Sequence, residues 1–167
     1  NMNKKVANYF FSDVHMAHNV TPTAKIAEEI MEVFTEEFKK YLDLDAQVIT
    51  IYIGGDFYDR LVNLSQIESY EVDVFIFKFL RFCKKYNAQL RILEGTPSHD
   101  WKQSRRFELI NEEAKLEVDL KYFDTLSIEY NDVTDLYVLY VPDEWEENPE
   151  ETLSQVKDLL IANNIDK

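Results

Sequence analysis

The strongest constraint on the fold of this chain is the alternation of short apolar runs with longer amphipathic segments. The runs 6–11, 47–53 and 89–93 have the length and apolar content of buried strands. Between them, segment 23–42 has apolar residues every four positions, and segment 65–86 opens with a capping-box pattern. We predict both segments as helices. Strands that alternate with helices are typical of a mostly parallel sheet covered by helices, so the sequence predicts an α/β fold.

The second half of the chain is richer in strands. We predict a short helix over 105–114, strands over 117–122, 125–130 and 136–141, and a last helix from about residue 148. The apolar residues of the last helix that we expect to face the core are Leu153, Val156, Leu159 and Leu160. Because the sequence has no internal repeat and no flexible linker, we predict a single domain over residues 1–167.

Composition limits the class of protein. The 167 residues are 46% hydrophobic and 14% aromatic, which is enough to bury a core. With 32 acidic and 18 basic residues, the net charge of -14 excludes a cationic module that binds nucleic acid by backbone charge alone. The single cysteine, Cys83, lies on the apolar face of a predicted helix, so we expect it in the core and the protein in a reducing compartment. No apolar run reaches membrane-spanning length and no signal peptide opens the chain, so we expect a cytoplasmic protein with no membrane partner.

Glycine and histidine are rare, and most of them directly follow predicted strands. His15 follows the first strand, Gly54 and Gly55 follow the second, and Gly95 follows the third. In open α/β sheets, ligand sites form beyond the carboxyl ends of the strands. The pattern therefore predicts a site at that edge of the sheet, with glycines that let the chain turn close to a ligand.

The same three strand ends carry carboxylate and imidazole groups together. The motifs are Asp13-Val14-His15, Asp56 with Asp59, and His99-Asp100. These donors suit Mn²⁺, Zn²⁺ or Fe²⁺ better than Ca²⁺, which takes oxygen ligands. On extended backbone, residues two positions apart point the same way, so we expect Asp13 and His15 to bind one metal. The alternative is that all these are polar loop residues, which is a weaker explanation for three motifs in order than for one.

At these residues the chain resembles the calcineurin-like metallophosphoesterases. The first motif matches the family's Asp-x-His block, and residues 55–60 match its Gly-Asp-x-x-Asp-Arg block at every fixed position. The third block, residues 95–100, keeps the glycine and the His-Asp pair but has two extra residues, and Ser98 stands where the family has a metal-binding asparagine. The resemblance covers roughly residues 6–101 and implies the N-terminal part of an α/β/β/α sandwich.

The resemblance implies hydrolysis of a phosphoester by two divalent metals and an in-line attack of hydroxide, with Mn²⁺ as the favoured metal and Zn²⁺ or Fe²⁺ as alternatives. Asp13 and His15 would hold the first metal, and Asp56 would bridge both. Ser98 would be a poor ligand of the second metal, because a hydroxyl is a weaker ligand than the amide oxygen of asparagine.

The resemblance also assigns roles around the metals. His99 would act near the leaving oxygen, as an acid or as a stabiliser of the developing charge, and Asp100 would orient it. Asp59 and Arg60 would hold the loop that carries Asp56.

Two aromatic residues near these motifs are weaker candidates for contact with substrate. His18 either reaches the substrate or lies on the surface, and the surface is the preferred interpretation because loops are usually exposed. Trp101 either packs beneath the third loop, which is preferred, or stacks on a base of nucleic acid.

The long acidic helices, Met16 after the first motif and the form of the third block resemble the SbcCD-type DNA repair and recombination nucleases, especially phage-like members. This resemblance implies DNA as the substrate, an ATPase subunit as a partner, and a bacterial or phage-infected cell. One alternative is a small-molecule phosphatase or phosphodiesterase, which the acidic charge suits. The other is a non-catalytic assembly module that has kept the fold and lost the site.

No histidine follows His99, so the family's later His and Gly-His-x-His blocks have no counterpart. We therefore expect the chain to be the first part of a longer domain, with an incomplete metal site and little or no activity by itself. A natural loss of the site is the alternative.

Overall fold

The parallel sheet brings three strand ends to one edge. A computed structural model describes residues 5–17, 22–43, 48–58, 67–95, 100, 102–142 and 149–165. Four parallel strands lie in the order β1-β2-β3-β4, with the ranges Val6–Phe11, Val48–Ile53, Gln89–Leu93 and Leu120–Phe123. Phe11 pairs with Ile53, and Ile53 pairs with Ile92. The predicted α/β class is confirmed, and the loops after β1, β2 and β3 start side by side.

The helices follow the predicted order along the chain. Helix α1 spans Thr23–Asp43, α2 spans Ile67–Lys85, α3 spans Arg106–Glu113 after a 3-10 turn at Gln103–Arg105, and α4 spans Pro149–Ala162. Part of the capping-box pattern that opens the second helix, Ser65 and Gln66, lies outside the described residues.

The fourth strand begins later than the predicted residue 117. The side chain of Asn111 accepts a hydrogen bond from the Val118 backbone N–H at 3.1 Å and donates one to the Val118 carbonyl at 3.1 Å. The backbone of Val118 is therefore bound to the end of α3 and not to the neighbouring strand, so regular pairing with β3 starts at Leu120.

An aromatic cluster joins α1 and α2 to one face of the sheet. Phe38 and Phe79 are fully buried and Phe34 almost so, and the ring of Phe34 lies 5.3 Å from that of Phe11 on β1. Burying each of these rings contributes about 1.5–3 kcal/mol to folding. Cys83 is buried in the same core, as predicted, and burial raises the pKa of its thiol to about 12.

The remaining strands form a separate antiparallel hairpin. Strands β5, Ser127–Asn131, and β6, Leu136–Tyr140, pair only with each other among the described residues. The hairpin is tied to the parallel sheet by Glu129, which accepts hydrogen bonds from Arg91 at 3.0 Å and Lys121 at 2.8 Å. Because the side chains of Arg91 and Glu129 are 3% and 5% exposed, this is a buried ion pair that fixes the hairpin against β3.

The inward face predicted for the last helix is wrong at one position. Leu153 is 57% exposed, whereas the adjacent Thr152 is 6% exposed. Adjacent positions differ by about 100° around a helix, so the face that turns inward is centred closer to Thr152 than the leucine pattern indicates. In the part of the chain that the structure describes, no helix combines the length and apolarity needed to cross a membrane.

Candidate metal site at the sheet edge

The loops that follow β1 and β2 continue side by side beyond the strands. The backbone N–H of Asp13 donates to the Gly55 carbonyl at 3.1 Å, and that of His15 donates to the Asp56 carbonyl at 3.2 Å. Met16 then donates to the Phe57 carbonyl at 2.7 Å. The first two sequence motifs are therefore held together by backbone hydrogen bonds, independently of any ligand.

Three predicted metal-binding side chains meet at this place. One ligand atom each from Asp13, His15 and Asp56 lies within 4.8 Å of the other two. His15 Nε2 is 3.9 Å from Asp13 Oδ1. At metal–ligand distances of about 2.0–2.2 Å, ligand atoms on one ion lie roughly 3–4.4 Å apart. Small adjustments of these side chains would therefore close them around a divalent ion, and two carboxylates with an imidazole suit a transition metal.

The side chains converge for a different reason from the one that the sequence suggested. The prediction relied on extended backbone across Asp13-Val14-His15, but Asp13 and His15 have φ angles of 55° and 53°. Asp56 has a φ of 51°. Left-handed backbone at a non-glycine residue costs of order 1–2 kcal/mol, and such residues cluster at functional sites. The extended-backbone argument was therefore wrong, although the ligand atoms do come together.

Two glycines next to Asp56 have conformations or contacts that a side chain would disturb. Gly55 has a φ of 106°, which side chains rarely adopt. A Cβ at Gly95 would lie 2.2 Å from the backbone nitrogen of Asp56 and 2.4 Å from its Oδ1. The absence of a side chain at Gly95 therefore leaves room for Asp56.

The convergent loops line an acidic cleft of about 450 Å³. Its carboxylates come from Asp13, Asp56 and Glu94. The apolar lining is contributed by Leu93, Val141 and Pro142, the last two just beyond β6. Among the lining residues that the structure describes, none is basic. The described carboxylates repel an anionic ligand, and a cation bound among them would reduce that repulsion.

Asp100 is fully buried beneath the cleft. Its Oδ1 accepts a hydrogen bond from the Tyr58 backbone N–H at 3.0 Å, and its Oδ2 accepts one from Gly95 at 2.8 Å. Burial raises the pKa of the Asp100 carboxyl, and the nearby Asp56 carboxylate acts in the same direction. The backbone N–H donors oppose that shift without cancelling it.

Glu94 is a site residue that sequence reasoning missed. It is 3% exposed and lines the cleft, and its Oε2 accepts a hydrogen bond from the hydroxyl of Tyr122 on β4. Burial, followed by this hydrogen bond, raises the pKa of Tyr122 well above its usual range. The available signal was an acidic residue directly after a strand and before Gly95. The Tyr122 partner, 28 positions away, carries no local signal.

Several predicted site residues lie outside the described part of the chain. They are His18, Asp59, Arg60, Ser98, His99 and Trp101. Their predicted roles stay predictions, including the orientation of His99 by Asp100. The described part of the predicted site consists of Asp13, His15, Asp56 and Asp100.

Comparisons with protein-family models and with curated sequences identify no relative. No protein-family model matches the chain, and no curated protein sequence matches it significantly. The fold class and the geometry at the sheet edge are therefore the basis for the functional argument.

Proposed function

We propose that this protein is a metal-dependent phosphoesterase of the calcineurin-like type that acts on DNA, as the SbcCD-type repair and recombination nucleases do. In this proposal the parallel sheet and the β5–β6 hairpin belong to the two β layers of an α/β/β/α sandwich. We further propose that the protein acts in the cytoplasm of a bacterial or phage-infected cell, with an ATPase subunit as its partner.

One observation carries the proposal: the convergence of Asp13, His15 and Asp56 at the ends of adjacent parallel strands. These residues come from two motifs 41 or more positions apart, and backbone hydrogen bonds hold the motifs in contact. Their ligand atoms lie within 4.8 Å of one another and combine two carboxylates with an imidazole, which is the donor set expected from the two motifs. Like charges at this distance repel, and a divalent cation would remove that repulsion.

The residues present fit a divalent transition metal, and each has a definable task. Asp13 and His15 would hold one ion from the side of the first loop, and Asp56 would reach it from the second loop. A bound ion of this kind supplies a water of lowered pKa and positive charge for phosphoryl oxygens. The lining residues Leu93, Val141 and Pro142 would exclude water from one side of the phosphoester.

The proposal is tested by measuring Mn²⁺ binding to the full chain by isothermal titration calorimetry. Asp56→Asn removes a carboxylate ligand with almost no change in volume, and should weaken Mn²⁺ binding by at least about 10–100-fold. Asp158→Asn is the matched control, because Asp158 is exposed on α4 and lies outside the cleft. Equal Mn²⁺ affinities for the wild type and Asp56→Asn would overturn the assignment, and a wild type that binds no Mn²⁺ would favour the non-catalytic module.

A small-molecule phosphodiesterase or phosphatase is the second candidate. It is favoured by the acidic lining of a cleft of about 450 Å³ and by the net charge of -14, since DNA-binding surfaces are normally basic. In a longer protein that includes the family's later histidine motifs, Mn²⁺-dependent hydrolysis of bis(p-nitrophenyl) phosphate, with and without duplex DNA, separates the two. A DNA nuclease should be inhibited by the duplex and should cut it, whereas an enzyme for small esters should be unaffected.

A further inference from the structure

We propose that Asp100 is a positioning residue that fixes the Asp56 carboxylate in the metal site through backbone hydrogen bonds. This inference rests on the proposed function, because it concerns the affinity of the same site for its metal. This role is not predictable from the motif, since the resemblance assigns Asp100 to the orientation of His99. The two roles differ in what they control: one sets metal affinity and the other sets proton transfer.

The carboxylate of Asp100 accepts hydrogen bonds from the backbone of two loops, the one after β2 and the one after β3. Its Oδ1 accepts from Tyr58, two residues after Asp56, at 3.0 Å. Its Oδ2 accepts from Gly95, on the loop after β3, at 2.8 Å. The backbone N–H of Asp56 also acts on this carboxylate, since it opposes the rise in the Asp100 pKa that burial causes. One buried side chain therefore joins the loop that carries Asp56 to the loop after the neighbouring strand.

The packing around Gly95 makes this connection tight. The space where a Cβ would stand at Gly95 is bounded by the Asp56 nitrogen, by Asp56 Oδ1 and, at 2.6 Å, by Asp100 Oδ2. Both carboxylates therefore lie next to the position that a side chain at Gly95 would occupy. Loss of the Asp100 acceptor therefore removes contacts that hold the backbone next to Asp56 in place.

Burial of the Asp100 carboxylate lowers the stability of the fold, which indicates a specific role for this side chain. Asp100 is fully buried, and burial of a charged or polar group is unfavourable unless hydrogen bonds compensate for it. Its described hydrogen bonds are to backbone N–H groups, which a neutral side chain of similar shape would satisfy only in part. Groups that orient metal ligands in this way typically change metal affinity by about 10–100-fold when they are removed.

The test uses Asp100→Asn in the full chain, with Mn²⁺ alone as the probe. The amide keeps one acceptor oxygen but points an NH₂ group at a backbone N–H, so we expect Mn²⁺ affinity to fall about 10–100-fold while the far-UV circular dichroism is retained. Asp158→Asn is again the control. A residue that acted only by orienting His99 would influence proton transfer and would leave Mn²⁺ affinity unchanged. Our proposal requires the loss in Asp100→Asn alone.

A second measurement separates positioning from a general loss of stability. The absorption spectrum of the Co²⁺-loaded protein reports ligand geometry, and at saturating Co²⁺ it should differ between Asp100→Asn and the wild type. If saturating Co²⁺ restores the wild-type spectrum, Asp100 only stabilises the fold and the proposal is overturned. Asp100→Ser, which is smaller and keeps one hydroxyl acceptor, takes the place of Asp100→Asn if that variant does not fold.

Failure of this inference is distinguishable from failure of the proposed function. A wild type that binds Mn²⁺, with Asp56→Asn defective and Asp100→Asn unchanged, refutes the role of Asp100 and keeps the metal site. A wild type that binds no Mn²⁺ refutes the proposed function. In that case, backbone amide exchange in the metal-free protein still tests the connection: the amides of Asp56, Tyr58 and Gly95 should exchange faster in Asp100→Asn, and unchanged exchange would refute it.

Discussion

Gly95 offers the sharpest test of the site geometry, because alanine at this position adds one methyl group in contact with Asp56. The new Cβ would lie 2.2 Å from the Asp56 nitrogen, whereas an ordinary contact is 3.4 Å or more. The backbone of Asp56 would therefore have to retreat by about 1.2 Å. The neighbouring Asp56 Oδ1 and Asp100 Oδ2, at 2.4 and 2.6 Å from the new Cβ, would have to move as well.

Two quantities should change in Gly95→Ala. The free energy of unfolding should fall by about 1–3 kcal/mol or more, which is the usual cost of overpacking. Mn²⁺ affinity should fall by about 100-fold, because a ligand displaced by about 1 Å no longer matches the other two. Urea unfolding followed by circular dichroism measures the first, and isothermal titration calorimetry at a temperature where both proteins are folded measures the second.

Gly54→Ala is the matched control, since Gly54 lines the same cleft. A Cβ at Gly54 would meet Ser12 Cβ at 3.2 Å and the Phe11 carbonyl at 3.6 Å, so the neighbours need to move by only a few tenths of an ångström. We expect this variant to be close to wild type in stability and in Mn²⁺ affinity. Equal Mn²⁺ affinities for Gly95→Ala and Gly54→Ala would refute the argument that Gly95 supports Asp56.

Two further predictions concern the core and the hairpin. Burial alone would raise the pKa of Glu129, but the hydrogen bonds from Lys121 and Arg91 have the larger effect, so the pKa is lowered. The ionised Glu129 therefore stabilises the fold fully above the unfolded-state pKa of about 4.3, and this stabilisation is lost as the pH falls through the lower folded-state pKa. The urea midpoint of unfolding should therefore fall less steeply from neutral to acidic pH in Glu129→Gln than in the wild type. The exposed control Glu112→Gln should behave like the wild type, and the same pH dependence in all three proteins would contradict this. Cys83, with a pKa of about 12 and a fully buried thiol, should not react with a thiol reagent at mildly alkaline pH until urea unfolds the protein, and rapid reaction of the folded protein would contradict its burial.

Local patterns were sufficient to predict the strands and helices of the first half of the chain. The run at β3 was predicted with its observed bounds, because a short apolar run between Asn87 and Glu94 has few alternatives. The later strands were predicted less accurately, since their bounds depend on distant partners. The hydrogen bonds of Asn111 shift the start of β4 toward the C-terminus, and the ion pair of Glu129 with Arg91 attaches the hairpin to the sheet. Neither interaction produces a periodic pattern in the sequence.

The candidate site was predictable in its residue types and not in its construction. Asp13, His15 and Asp56 were identified because carboxylate and imidazole groups after parallel strands share one edge of the sheet. Their convergence, however, depends on left-handed backbone at all three residues and on the absence of a side chain at Gly95, and both are consequences of tertiary packing. The hydrogen bond from Tyr58 to Asp100 spans 42 positions, so only the folded chain reveals that a fully buried carboxylate is bound to the loop that carries Asp56. A motif of this kind therefore specifies which atoms could bind a metal, while the residues that set their separation have to be found from the packing around them.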